Sequence, residues 1–469
     1  MGALLDEDRL FPIEPRARAL ARRLYGLVRD LPIVSPHGHT DPRWFARDEP
    51  FADPAELLVM PDHYVLRMLV SQGVRLDDLG IARLSGERRE TDRRKIWRRF
   101  AEYYHLFRAT PSRLWLDHTF ETLFAMTEPL GPQTADVYFD RIGEQLSDAD
   151  FRPRRLFERF NIEVLATTEG ALDDLAWHDQ IAASGWGGRV ITTYRPDSVT
   201  DPDFEGFCAN LRRFGEVTGS DTQDWSGYLE AHRRRRAFFR AAGATATDHG
   251  HPSADTADLS PDEAAALYAL VAGGRADASH KILFRAQMLT EMARMSVEDG
   301  MVMQIHAGAH RNHSPSIHRL FGRDKGFDMP ARASYVDALK PMLDAVGLEP
   351  GLSVIVFTLD ETAYARELAP LAGAYPCLKL GPPWWFYDSV EGMLRHRRAT
   401  IETAGFYNTA GFNDDTRALP SIPARHDVAR RVDCAFLSEL VLSGRLREDE
   451  AAELAEDLAV NLARAAYRL

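Results

Sequence analysis

The stretch LPIVSPHGH, residues 31–39, carries the reading of the fold. A short apolar run closes on two histidines, His37 and His39, spaced i and i+2. On an extended strand such side chains point to one side, so both imidazoles can reach one metal ion. Outward from it, seven more runs end abruptly in polar residues: NIEVLATTEG (161–170), RVITTYRPD (189–197), GATATDHGH (243–251), MVMQIHAGAHRN (301–312), LSVIVFTLDET (352–362), CLKLGPPWWF (377–386) and TAGFNDDTR (409–417). Helical stretches such as Phe204–Phe214, Tyr228–Ala242, Ser260–Ala272, Ala333–Ala345 and Val390–Ala404 separate most of them. Strand–helix alternation argues for a parallel sheet. Eight such units with chemically loaded strand ends predict a TIM-like (β/α)8 barrel whose active site opens at the strands' C-terminal face.

The gap between the first two runs is too long for one crossover. Its residues read as helices, for example Asp53–Leu58, Asp62–Val70, Asp92–Tyr104 and Pro111–Met126. The chain therefore divides into an N-terminal segment with the first strand (1–41), a helical insertion or subdomain (42–158), and the rest of the barrel with its C-terminal helices (159–469). Two amphipathic helices are expected over Asp427–Arg468, and the Arg233–Arg236 run is expected on a solvated helix face. The 469 residues, 45% hydrophobic and 27% charged, suit a folded globular chain and exclude a disordered or collagen-like one. A net charge of −13 speaks against nucleic acid as a partner. Three scattered cysteines, Cys208, Cys377 and Cys434, fit a reducing cytoplasm. The acidic start MGALLDEDRLF lacks the character of a signal peptide, and no apolar run is long enough for a membrane span. A cytoplasmic protein is expected, and assembly into a homo-oligomer is left open.

Beyond His37 and His39, His306 closes the fifth run on the same face. It could ligate a metal or be a satisfied core histidine. Asp414, Asp415 and Arg417 close the eighth run, where a carboxylate can complete a metal site, act as a base, or do both in turn. A surface Asp-Asp turn is the bland alternative. In the second HGH, His251 precedes Pro252 and should turn into the loop, while His249 on the strand end remains a candidate substrate contact. Trp384 and Trp385 could offer a flat platform to a sugar, or simply fill the core. Arg195, Arg311, Arg417 and Arg425 stand at or just after strand ends, and arginine forks bind carboxylates bidentately.

An HxH on the first strand, a histidine on the fifth and an aspartate on the eighth resemble the skeleton of the amidohydrolase superfamily. More narrowly, the chain resembles the uronate (glucuronate) isomerase family over nearly its whole length. The matching stretches are HGH (37–39), DHY (62–64), LATTEGALDDL (165–175), YRPD (194–197), TDHG (247–250), MQIHAGAHRN (303–312), WWFYD (384–388), DDTR (414–417) and RHD (425–427). The resemblance implies an aldose–ketose isomerase that converts D-glucuronate to D-fructuronate and D-galacturonate to D-tagaturonate. It implies His37, His39 and Asp415 at one divalent metal with His306 beside them, and His63 and Tyr64 reaching over the barrel mouth from the insertion. It places Arg195, Arg311, Arg417 and Arg425 around a hexuronate substrate. Histidine-plus-carboxylate ligation suits Zn²⁺ or another first-row divalent ion.

Moving a carbonyl from C1 to C2 requires removing the C2 proton and delivering one to C1. A hydride shift is favoured by two metals in a carboxylate-rich site, whereas these residues suffice for about one metal. Proton transfer through an enediol is therefore expected, with Asp415 or Tyr64 as base at C2, His63 as a further proton carrier and Arg417 stabilising the enediolate. The competing readings are a metal-dependent hydrolase of the same superfamily acting on an anionic sugar derivative, and a non-catalytic sugar-acid binding protein.

Overall fold

The computed structural model describes residues 4–469. Its parallel pairings follow the order of the sequence. The first strand, Ile33–Ser35, pairs with Ile162–Ala166, which pairs with Val190–Ile191. These second and third strands break at paired threonines and resume as Glu169–Gly170 and Tyr194–Arg195. The third then meets Ala246–His249, followed in turn by Val302–Ala307, Val354–Thr358 and Leu378–Leu380. The fifth and sixth strands are buried along their whole length. Parallel strands covered on both faces read as unbroken β-branched runs for that reason.

The eighth run departs from the expected strand. It makes one parallel bridge, Leu380 to Thr409, and the Ala410 amide donates to the Leu380 carbonyl at 2.8 Å. Beyond that the backbone leaves the extended region, at Gly411 (φ 75°) and again at Asp415 (φ 40°). Gly411 is required sterically, because a Cβ there would lie 2.7 Å from the Ala463 amide nitrogen. The circuit is completed by the His39 amide, which donates to the Thr416 carbonyl at 2.9 Å. The order of neighbours is that of a (β/α)8 barrel whose last position is held by turns instead of a ladder.

Between the first and second strands the chain forms helices Pro42–Arg47, Pro54–Leu58, His63–Ser71, Arg93–Glu102, Pro111–His118, Ala135–Leu146 and Pro153–Arg159. Asp41, Asp53, Asp62, Asp92 and Thr110 cap five of them by accepting backbone N–H groups of the first turn. Each such cap contributes about 1 kcal/mol. Their apolar core, with Trp97, Phe100, Phe120 and Tyr138 at its centre, runs without interruption onto Ile33 and Ile162 of the barrel. That continuity joins the insertion to the barrel at the starts of its first two strands.

At the other end of the chain, helix Ile422–Leu442 begins five residues before the expected Asp427. Glu448–Glu456 continues through a wide turn at Asp457–Asn461 into Leu462–Tyr467. The Arg233–Arg236 expectation is corrected. Four consecutive helical residues spread over about 300° around the axis and cannot share a face. Arg233 and Arg234 reach outward to Glu298 and Glu230, while Arg235 and Arg236 are buried, Arg236 paired with Asp299 at 2.6 Å. No helix among the described residues is long and apolar enough to cross a membrane.

Candidate active site at the barrel mouth

The strand ends and the insertion converge on one cavity of about 780 Å³, lined by His37, His39, His63, Tyr64, Arg195, His306, Arg311, Trp384, Trp385, Asp415 and Arg417. That volume lies within the usual range for small-molecule sites.

At its floor, Asp415 Oδ1 stands 3.3 Å from His39 Nε2 and 3.6 Å from His37 Nε2. Its other oxygen accepts the Trp384 indole N–H at 3.1 Å. The His37 ring stacks on His306 with centroids 4.8 Å apart. Burial pushes the His37 imidazole below its ordinary range and His39 well below it. Both are therefore neutral at pH 7, with lone pairs available for a metal. Asp415 Oδ1 is buried without a protein donor. Two neutral imidazoles and a carboxylate oxygen facing one another, with no hydrogen bond joining them, fit a divalent cation.

His306 does not join this trio directly. Its Nδ1 lies 2.6 Å from Asp248 Oδ1, and its Nε2 is buried without a partner. Asp248 is wholly buried and stands 3.0 Å from Arg195 Nη1. Burial pushes its carboxyl up, but Arg195 and then His306 outweigh this and hold it well below the carboxylate range. His37, Asp248 and His306 form a second group close enough to share a cation.

Over the mouth, the Asp62 carboxylate accepts from the Tyr64 amide at 2.8 Å, capping helix His63–Ser71 so that its first two side chains face the cavity. Their rings stack at 4.4 Å, with Trp115 edge-on to Tyr64. Burial pushes the His63 imidazole well down and the Tyr64 phenol far up. Across from them, the excursion that follows the fifth strand is pinned by the short antiparallel pair Ala309–His310 and Met329–Pro330. It packs on this helix at Gly326, where a Cβ would meet the His63 carbonyl at 2.8 Å. This excursion brings in Asp328, 3.1 Å from Arg311, and Asp324, 3.7 Å from Arg417. Arg195 is also held by Asp197 at 2.8 Å.

Two expected substrate contacts lie elsewhere. His249 is wholly buried and hydrogen-bonded to Thr247 Oγ1 at 3.0 Å, outside the cavity. Side chains alternate along a strand, so it is the neighbouring Asp248 that turns to the site. Arg425 stands behind the cavity wall, 3% exposed, with Nη1 donating to Asp388 Oδ2 at 2.7 Å and to the Asp414 carbonyl at 2.8 Å. It sits on a buried helix, where its Nη1 is already taken by a carboxylate and a carbonyl. The residues that sequence reasoning missed are Asp248 and Asp324. The parity of ATATDHG against its strand end could have found the first, and no local signal marks the second.

A family model described as glucuronate isomerase matches residues 9–467. A uronate isomerase from Mesorhizobium japonicum is 67% identical over 469 residues, the full length of both chains. Among solved structures, the glucuronate isomerase from Caulobacter crescentus has a TM-score of 0.98 at 58% identity, covering 99% of this chain and 97% of that one. The uronate isomerase from Thermotoga maritima has a TM-score of 0.91 at 27% identity, covering 99% of each chain.

Proposed function

The chain belongs to the glucuronate isomerase family, and on that premise we propose that its barrel-mouth site interconverts D-glucuronate with D-fructuronate, and D-galacturonate with D-tagaturonate, by proton transfer through an enediol. The protein is an isomerase, an intramolecular oxidoreductase acting on a sugar acid. The carrying observation is one cavity in which three guanidinium groups, Arg195, Arg311 and Arg417, face the His37–His39–Asp415 cluster. An isomerase of carboxylate-bearing sugars needs both halves. Metal-dependent hydrolysis is not favoured, since the reported full-length likenesses at 27% identity or more are to isomerases.

His37, His39 and Asp415 would hold one divalent ion, zinc by the chemistry of the set, with His306 beside it. When bound, such an ion supplies Lewis-acid polarisation of substrate oxygens. The protein's own groups do the rest. Arg195 and Arg311 bind the substrate carboxylate, and the Trp384 and Trp385 indoles offer apolar faces to the sugar's C–H groups. Asp415 takes the proton from C2 and, after exchange with solvent, delivers one to C1. Burial keeps the Tyr64 phenol protonated, which makes it a hydroxyl donor to a substrate oxygen and leaves Asp415 as the better base. His63, neutral at pH 7, can relay a proton between substrate oxygens. Arg417, two residues from Asp415, offsets the enediolate charge. Two buried cysteines without disulfides suit a cytoplasmic location.

The test is conversion of D-glucuronate in D₂O with NMR of the product. Ketose carrying solvent deuterium at C1 is expected. Hydrogen retained at C1 through many reversible turnovers would overturn the enediol route, and absence of ketose would overturn the isomerase reading.

A further inference from the structure

Asp415 occupies a backbone conformation, φ 40°, that a non-glycine residue adopts only where its surroundings hold it. Besides the Trp384 indole and the His39 amide, a set of groups holds the turn from behind. The preceding residue, Asp414, is wholly buried, and its carboxylate meets His426 Nε2 at 3.1 Å. Its carbonyl accepts from Arg425 Nη1 at 2.8 Å. The same nitrogen donates to Asp388 Oδ2 at 2.7 Å, so the guanidinium is anchored from behind. Its flat face lies 3.7 Å from the Trp115 ring centroid and 5.5 Å from that of Tyr64. One side chain thus touches the turn that presents Asp415 and the ring that presents the Tyr64 hydroxyl, although these belong to the eighth barrel position and the helical insertion.

We propose that Arg425 is a positioning residue that sets the Asp415 turn and the Tyr64 ring in register, and that it does not bind the substrate carboxylate. A planar fork suits this task where an ammonium would not. One nitrogen, Nη1, donates to both Asp388 and Asp414 while the delocalised plane turns a π-face to two aromatic rings at once. Misplacement of a reacting group by about 1 Å can cost on the order of 10²-fold in rate while leaving binding energy from remote groups intact. This inference deepens the isomerase reading and rests on it.

The test is Arg425→Lys, which keeps the charge and loses the fork, compared with wild type on D-glucuronate and D-glucose. A positioning role predicts a kcat lower by on the order of 10²-fold, a KM within about threefold, and an unchanged preference for the charged sugar. Combined with Tyr64→Phe, it should cost less than the product of the two single effects, because part of its effect passes through the same hydroxyl. Should Arg425→Lys not fold, the isosteric Asp388→Asn loosens the same anchor and must show the same split. A KM raised tenfold or more with loss of charge preference, independent multiplication of the two substitutions, or wild-type kcat would each overturn the proposal (about tenfold being one pKd unit of binding). Wild-type turnover run alongside separates the two readings. No ketose there refutes the isomerase reading and this inference with it, whereas a normal wild type with a KM-type Arg425→Lys refutes this inference alone.

Discussion

Tyr64→Phe isolates chemistry from stability more cleanly than any other substitution at this site. The ring is held by His63 at 4.4 Å, Trp115 at 5.8 Å and the Arg425 guanidinium at 5.5 Å, all contacts that phenylalanine keeps. Nothing that shifts the phenol's ionisation is a hydrogen bond: burial leads, followed by the charges of Arg425, Asp388, Asp415 and Asp62. Removing the oxygen therefore orphans no protein donor or acceptor, and the stability change should stay within about 0.5 kcal/mol. The lost hydroxyl is a different matter for the reaction. Positioned proton donors contribute about 10²–10⁴-fold, which corresponds to roughly 3–5 kcal/mol of barrier at 1.36 kcal/mol per decade. Because burial raises the phenol's ionisation range, the hydroxyl stays protonated through neutral pH. The wild-type rate should show no alkaline loss assignable to Tyr64 in that range. Thermal melting and initial rates of ketose formation on the same preparations provide the assay. A kcat within twofold of wild type (a barrier change of about 0.4 kcal/mol) would refute the role, as would a kcat loss matched by an equal loss of folding stability.

D-glucose should be a poorer substrate than D-glucuronate by on the order of 10³-fold in kcat/KM, since the missing carboxylate leaves desolvated guanidinium groups unpaired; comparable rates would remove Arg195 and Arg311 from carboxylate recognition. Dialysis against a chelator should lower activity and deplete a divalent metal measurable by mass spectrometry, and His39→Ala should abolish its retention; full activity in metal-free protein would confine His37 and His39 to a structural role. Glu169, buried beside Thr167 and Thr192, has its carboxyl pushed up to about 7 from 4.5, by burial first. Its contribution to stability is thus fully present below pH 4.5 and is lost as pH rises toward about 7, a loss on the order of 3 kcal/mol. Glu169→Gln should flatten the melting temperature between those limits, and an unchanged slope would refute the assignment.

The barrel was legible where the physics is simple. Strands such as Val302–Ala307 and Val354–Thr358 are buried on both faces, so they leave unbroken apolar runs that no loop would carry. Helix Ala278–Asp299 left no comparable mark, because its residues from Ala286 to Ala293 are buried in succession and show no one-sided stripe. The eighth position was readable by its chemistry but not by its backbone. TAGFNDDTR looks like a strand end, yet the left-handed residues that break its ladder, Gly411 and Asp415, answer to the neighbouring Ala463 and to the Arg425 clamp. Those contacts come from segments distant in sequence.

The site shows the same division. His37, His39, His306 and Asp415 could be named because each closes an apolar run, and strand ends of a barrel share one face. Asp248 was overshadowed by a histidine beside it, though parity alone decides which of the two turns inward. His63 and Tyr64 were reachable only through family resemblance, since nothing local says that a capped helix in an insertion will cross the mouth. Net charge was the least informative quantity of all. At −13 the chain should repel a uronate, but screening over about 8 Å at physiological ionic strength leaves the outcome to immediate neighbours. Those neighbours are arginines fixed by their own carboxylates: Arg195 between Asp197 and Asp248, Arg311 on Asp328, Arg417 near Asp324. Each pairing costs some of the guanidinium's field and in return holds its fork in place before a ligand arrives. An acidic protein can therefore recognise an acidic sugar, because the acids that dominate its composition orient the bases that do the binding.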